Sequence, residues 1–136
     1  VKTKRFIFDT NSLISALIIP SSVSRLALKN ADETGQLIFS KETLAELHEV
    51  LIRSKFDKYV SLEDRIEFTE RLEARGELIE TSSDFTNCRD VKDNKFLNLA
   101  YDGKVAYIIT GDLDLLVLNP FSGIEIISAA HFLAKS

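Results

Sequence analysis

Five short apolar runs constrain this chain more than any other feature. They are RFIFD (5–9), QLIFS (36–40), ELIET (77–81), VAYIITGD (105–112) and IEIIS (124–128). Between them lie longer stretches whose apolar residues recur at helical spacing. RFIFD and VAYIITGD read as buried strands and the other three runs as further strands, and steady alternation with helices reads as parallel strands joined by right-handed crossovers. The sequence thus predicts an α/β fold of three layers, α/β/α, with a mostly parallel sheet of about five strands. Sheets of this kind place their ligands beyond the carboxyl ends of the strands.

The helical stretches carry their own start and stop signals. NSLISALI (11–18) ends before Pro20, and Ser21, Ser22 and Ser24 offer caps to SRLALKNADETG (24–35). Ser40 stands as N-cap of KETLAELHEVLIRSKF (41–56). SLEDRIEFTERLEARG (61–76) opens on Ser61, has Asp64 three residues on, and closes on Gly76. DNKFLNLAYDG (93–103) is a further helix, LDLLVL (113–118) a short helix or turn, and AAHFLAK (129–135) a last short helix. At 136 residues, with no visible repeat or linker, residues 1–136 are expected to form one domain around one core.

No apolar run is long enough to span a bilayer, the longest being SLISALII. The first residues, VKTKRFIFD, lack a signal-peptide pattern, and the single Cys88 excludes an internal disulfide. A cytoplasmic location is the expectation.

Two of the strands end in acid, at Asp9 and at Asp112. If both strands are parallel, both carboxylates lie at one edge of the sheet. Asn11 and Asp114 follow two residues beyond each. Either acid alone reads more readily as a helix cap than as a site residue; the two together with the helical acids read as a site. In the third helix, Leu44, Leu47, Val50 and Leu51 define a buried stripe, and Glu46 falls at its border, roughly 110° from the centre. Glu49 points to solvent, where Arg53 can pair with it at i, i+4.

Asp93 carries the sharpest signal. It is in phase with Phe96, Leu97, Ala100 and Tyr101, the stripe by which its helix enters the core. Capping favours an acid in a first helical turn but does not require that phase. An acid buried there without a partner costs several kcal/mol. The strands offer no Lys or Arg deep enough to neutralise it, so a metal ion is the simplest cation. The candidate ligands Asp9, Glu46, Asp93, Asp112 and Asp114 are all carboxylates, with Asn11 and Thr110 as polar helpers, and hard oxygen donors suit Mg²⁺ or Mn²⁺. The two histidines, His48 and His131, are isolated from each other and from Cys88, which argues against zinc. His48 and Tyr101 read as packed residues. Setting the five acids aside turns the net charge of −4 into +1, with basic segments at Lys2–Arg5, Arg53–Lys58 and Arg89–Lys95, a surface compatible with a polyanionic partner.

Four stretches, FIFDTNSLISALI, SKETLAELHEVLIRSKF, CRDVKDNKFLNLA and YIITGDLDLL, taken together and in this order, resemble the four acidic motifs of PIN-domain nucleases. The order and spacing are most similar to the small bacterial PIN proteins of toxin–antitoxin pairs, VapC-like in type. The resemblance implies that Asp9, Glu46, Asp93 and Asp112 are the four acids of the active site, with Asp114 auxiliary and Asn11 and Thr110 supporting. It further implies a ribonuclease that hydrolyses phosphodiesters with one or two Mg²⁺ or Mn²⁺ ions, a cognate antitoxin and a homodimer. Ser12, Ser54 and Ala106 depart from the residues common in the family (aliphatic, proline and acidic), and none of the three removes a ligand. A HAD-type phosphatase would have a second acid where Asn11 stands. A receiver-like module would have a lysine after YIITGD, and a binding module on a degenerate PIN fold would have lost some of the acids, which are all present.

Overall fold

The computed structural model describes residues 3–135; Lys2, in the first basic segment, lies outside them. The strands are β1 (Arg5–Phe8), β2 (Gln36–Phe39), β3 (Glu77–Leu78), β4 (Tyr107–Ile109) and β5 (Glu125–Ile127). They form one sheet in the order β3-β2-β1-β4-β5, and every pairing is parallel. The helices are α1 (Thr10–Ile18), α2 (Val23–Thr34), α3 (Lys41–Leu51), α4 (Leu62–Arg75), α5 (Asn94–Gly103), α6 (Leu113–Leu116) and α7 (Ala129–Lys135). None of them is long and apolar enough to cross a membrane.

The three layers follow from the period of two along each strand. Phe6 and Phe8 of β1, with Leu37, Phe39, Ile109 and Ile127, face the core shared with α1, α2, α3, α4 and α7. Ile7, Ile38, Ile108 and Ile126 alternate with them and face the core that Phe96, Leu97, Leu99 and Ala100 of α5 and Leu115 of α6 complete. β1 is therefore buried on both faces and hydrogen-bonded on both edges, which is why its sequence is an unbroken apolar run.

Helix starts follow the capping residues expected from the sequence. Ser22, Ser40 and Ser61 each accept a backbone N–H from three residues on, and Ser40 with Thr43 forms a reciprocal capping box. One expected helix is shorter than its apolar pattern. Helix α3 stops at Leu51, and residues Ser54–Phe56 form a separate 3-10 turn. The cause lies in α4: Arg65, 1% exposed, donates to the Leu51 and Arg53 carbonyls at 2.7 and 3.0 Å and so takes over the end of α3. The same guanidinium donates to the Val60 carbonyl at 3.1 Å and pairs with Asp57.

Two expectations of packing do not hold. Tyr101 is 50% exposed, lying edge-on against Phe85, because the buried stripe of α5 is centred on Leu97 and runs through Phe96, Leu99, Ala100 and Gly103. His48 is also exposed and pairs with Glu73 of α4, because α4 packs beside α3 without covering the face His48 occupies.

Candidate active-site cleft

The order of the sheet reverses direction at β1: the chain moves outward through β2 and β3, then returns to place β4 on the other side. Two successive connections leave in opposite directions from this point, so a crevice opens at the carboxyl ends of β1 and β4. Asp9 and Asp112 stand there. Asp9, Glu46, Asp93 and Asp112 together line one cleft of about 560 Å³. The four acids come from four separate chain segments.

Asp9 and Asp112 do serve as caps. The Ser12 N–H donates to Asp9 Oδ1 at 3.0 Å, and the Asp114 N–H donates to Asp112 Oδ1 at 2.9 Å. Each cap uses one carboxylate oxygen, Oδ1. Thr110, 1% exposed, ties the two strand ends together: its hydroxyl donates to Asp9 Oδ2 at 2.5 Å and accepts the Asp112 N–H at 2.9 Å. Burial pushes the Asp9 carboxyl above its usual range against the pull of these hydrogen bonds.

Asp93 behaves differently. It ends a 3-10 turn, Val91–Asp93, immediately before α5, and its side chain caps nothing. Asp90 supplies the cap of that turn instead, accepting the Lys92 N–H at 3.2 Å. Asp93 is only partly buried, yet its Oδ2 is enclosed and has no hydrogen-bond partner among the described residues. Burial, and next the neighbouring Asp112 carboxyl, push its pKa up to about 7. The contact between the two carboxyls needs a proton on one of them, since two carboxylates have no hydrogen to donate.

Glu46 reaches the cleft from the border of the α3 stripe. Its Oε1 accepts from the Thr10 hydroxyl at 2.5 Å and its Oε2 from Lys95 Nζ at 2.5 Å. The Lys95 and Thr10 hydrogen bonds outweigh desolvation and lower its pKa. A cation deep enough to meet the acids is therefore present, on α5 rather than on a strand. Its only trace in the sequence is a lysine two residues after Asp93. Thr10 is likewise a partner the motif pattern does not reveal.

Asp114 stands outside the cleft lining. Arg89 grips both its oxygens, Nε to Oδ1 at 2.8 Å and Nη2 to Oδ2 at 2.9 Å. Its place in the metal set expected from the sequence would require that bidentate pair to open. Asn11 is exposed at the mouth of the cleft.

Among the described residues no three acidic, histidine or cysteine side chains already converge on one point close enough to hold an ion. The donor set nonetheless fits a hard divalent cation. It is entirely carboxylate oxygen, it contains a buried orphan oxygen at Asp93, and the neighbouring Asp112 and Glu46 charges help raise the Asp93 pKa.

Comparison with known proteins gives a consistent picture. A family model described as PIN domain matches residues 5–114. The chain is 36% identical over 117 residues to an uncharacterised protein of Methanocaldococcus jannaschii, covering 85% of this chain and 75% of that one. Among solved structures it is similar to VapBC2 from Rickettsia felis bound to a DNA fragment from its promoter (TM-score 0.60, 14% identity, 90% of this chain and 96% of that chain). It is also similar to Mycobacterium tuberculosis VapC20, a sarcin-ricin loop cleaving toxin (TM-score 0.54, 10% identity, 88% and 98%).

Proposed function

Because the chain belongs to the PIN-domain family, we propose that its acidic cleft is the active site of a Mg²⁺- or Mn²⁺-dependent endoribonuclease, the toxin of a toxin–antitoxin pair. The observation that carries this reading is the meeting of Asp9, Glu46, Asp93 and Asp112 in one cleft, with an enclosed Asp93 oxygen that nothing in the described chain satisfies. The M. tuberculosis neighbour is a sarcin-ricin loop cleaving toxin and the R. felis neighbour is VapBC2 bound to a fragment of its promoter, which supports the substrate and partner classes. A homodimer and a cytoplasmic location belong to the same reading.

The walls of the cleft favour a nucleic-acid backbone. Arg53 and Lys55 approach from the end of α3, and Lys92 and Lys95 from the start of α5, so two basic segments distant in sequence border the same acids. Phe56, also in the lining, offers an aromatic surface of the kind on which bases stack. Acids alone would repel a phosphodiester, and basic walls around a carboxylate floor become attractive once the floor is neutralised.

Asp9, Glu46, Asp93 and Asp112 would hold the ion. What such an ion supplies, when bound, is neutralised charge at the phosphate and an activated water for attack. Thr110 fixes the orientation of Asp9 and Asp112, and Thr10 that of Glu46. Asp93 is the carboxyl that holds a proton nearest neutral pH in the metal-free cleft.

The direct test is incubation with labelled single-stranded RNA and Mn²⁺, with Asp9→Asn as control. Asn caps a helix about as well as Asp, so the variant keeps α1 intact. Cleavage is expected to fall on the order of a hundredfold or more. Equal cleavage by both proteins would trace the activity to another site or a contaminant. In the absence of RNA, a hundredfold excess of Mn²⁺ over its Kd is expected to stabilise the protein by about 2.7 kcal/mol, raising the melting temperature by on the order of 10 °C. A melting curve indifferent to millimolar Mn²⁺ would count against the site.

A further inference from the structure

Of the four cleft acids, Glu46 is the one whose charge is met by a cationic side chain. Asp9 and Asp112 each accept a backbone N–H at a helix start, and Asp93 lies at the start of α5. Glu46 projects from the middle of α3, where every nearby N–H is committed to the helix. Its charge is met by two side chains instead, Thr10 on Oε1 and Lys95 on Oε2. The Lys95 and Glu46 side chains are only 20% and 22% exposed, so this ion pair is largely shielded from solvent. Lys95 also lies against the Phe96 ring, with Nζ 5.7 Å from its centroid.

We propose that Lys95 is a built-in counter-ion that competes with the divalent cation for Glu46, so that metal enters the cleft by exchange with this ammonium group. The proposal rests on the reading that the cleft binds a divalent ion. Each Glu46 oxygen already accepts one hydrogen bond, and a cation that binds there meets the positive charge of Lys95 on Oε2. Thr10 can remain as a donor to one oxygen; Lys95 carries the like charge and cannot remain against the other. A lysine suits such exchange: it is a compact point charge on a flexible stem, held by one hydrogen bond rather than gripped as Arg89 grips Asp114. In the metal-free protein its positive charge partly offsets the charge of Glu46, one of the carboxylates bordering Asp93. Lys95 is thus a positioning residue that sets how tightly the cleft binds its ion.

The test is Mn²⁺ binding without RNA, by calorimetry and by thermal shift, on wild type, Lys95→Met and Glu46→Gln. Lys95→Met is expected to bind Mn²⁺ on the order of tenfold more tightly. Its metal-free melting temperature should fall while its Mn²⁺-induced shift grows. In a Glu46→Gln background, Lys95→Met should leave Mn²⁺ affinity unchanged, since the contested oxygen is gone. A lysine with only a structural role would lower the melting temperature equally with and without Mn²⁺, and unchanged or weaker Mn²⁺ affinity in Lys95→Met would overturn the proposal. Lys95→Gln, which keeps a polar partner for Glu46, provides the same comparison if the methionine variant fails to fold. If wild type itself binds no Mn²⁺, the metal reading of the cleft fails and the proposal with it; if wild type binds and the Lys95 variants match it, the proposal alone fails.

Discussion

Asp93→Asn is expected to make the metal-free protein more stable at pH 8 while abolishing cleavage. The carboxyl of Asp93 is held up at about 7 by burial and by Asp112, from an ordinary value of 3.8. Between those two values the folded protein holds a proton that the unfolded chain has released, so stability is lost as pH rises through this window. Asp9 is shifted in the same direction and reinforces the trend. Glu46 is shifted the other way, and its contribution is lost only as pH falls below the ordinary value of 4.5. The interval from about pH 5 to pH 7 therefore reports on Asp93, with Asp9 adding in the same direction. An asparagine amide can donate to Asp112 at any pH and removes one of two crowded charges. The variant should melt several degrees higher than wild type at pH 8 and show little advantage at pH 5. Its Mn²⁺-induced shift should shrink and its RNA cleavage fall on the order of a hundredfold or more. Melting curves of the two proteins at pH 5 and pH 8 in EDTA decide the matter: a variant no more stable than wild type at pH 8 would mean that the two carboxyls do not repel each other.

Arg65→Ala is expected to cause the largest loss of stability of any single change outside the cleft. Its guanidinium is buried and supplies donors to the Leu51, Arg53 and Val60 carbonyls as well as to Asp57. Removing it leaves those carbonyls without their donor and opens a cavity between α3 and α4. The expected cost is about 3–5 kcal/mol. That corresponds to a fall in melting temperature on the order of 10 °C or more. Arg65→Lys should recover only part of this, because an ammonium cannot match the planar fork of donors. The damage should also reach the cleft, since Arg65 fixes the segment that carries Arg53, Lys55 and Phe56 into its wall. Urea unfolding of the three proteins measures the effect, and a loss below about 1 kcal/mol would show that water replaces the guanidinium without penalty.

Much of the fold was legible in the residues. Four of the apolar runs are strands buried on both faces, and a buried strand has no polar face to interrupt its pattern; β3, at the sheet edge, is two residues long with Leu78 exposed. The serine caps were legible because capping is a relation across three residues. Arg65 was not, because nothing in a charged residue inside an amphipathic helix shows that its fork will be consumed by carbonyls of the preceding helix. His48 and Tyr101 misled for a related reason: helical phase locates a stripe, and only the neighbouring element decides how wide a stripe is covered.

The sequence by itself determined five strands, their alternation with helices, and the position of Asp9 and Asp112 at strand ends, all of which are properties of short contiguous segments. Tertiary structure alone decided which group meets each acid: Thr110 on Asp9, Lys95 on Glu46, Arg89 on Asp114, and, among the described residues, nothing on the enclosed oxygen of Asp93. The physical reason is range. Strand and helix patterns are set by neighbours within a few residues, whereas Glu46 and Lys95 are 49 residues apart and meet only because the sheet brings α3 and α5 to the same edge.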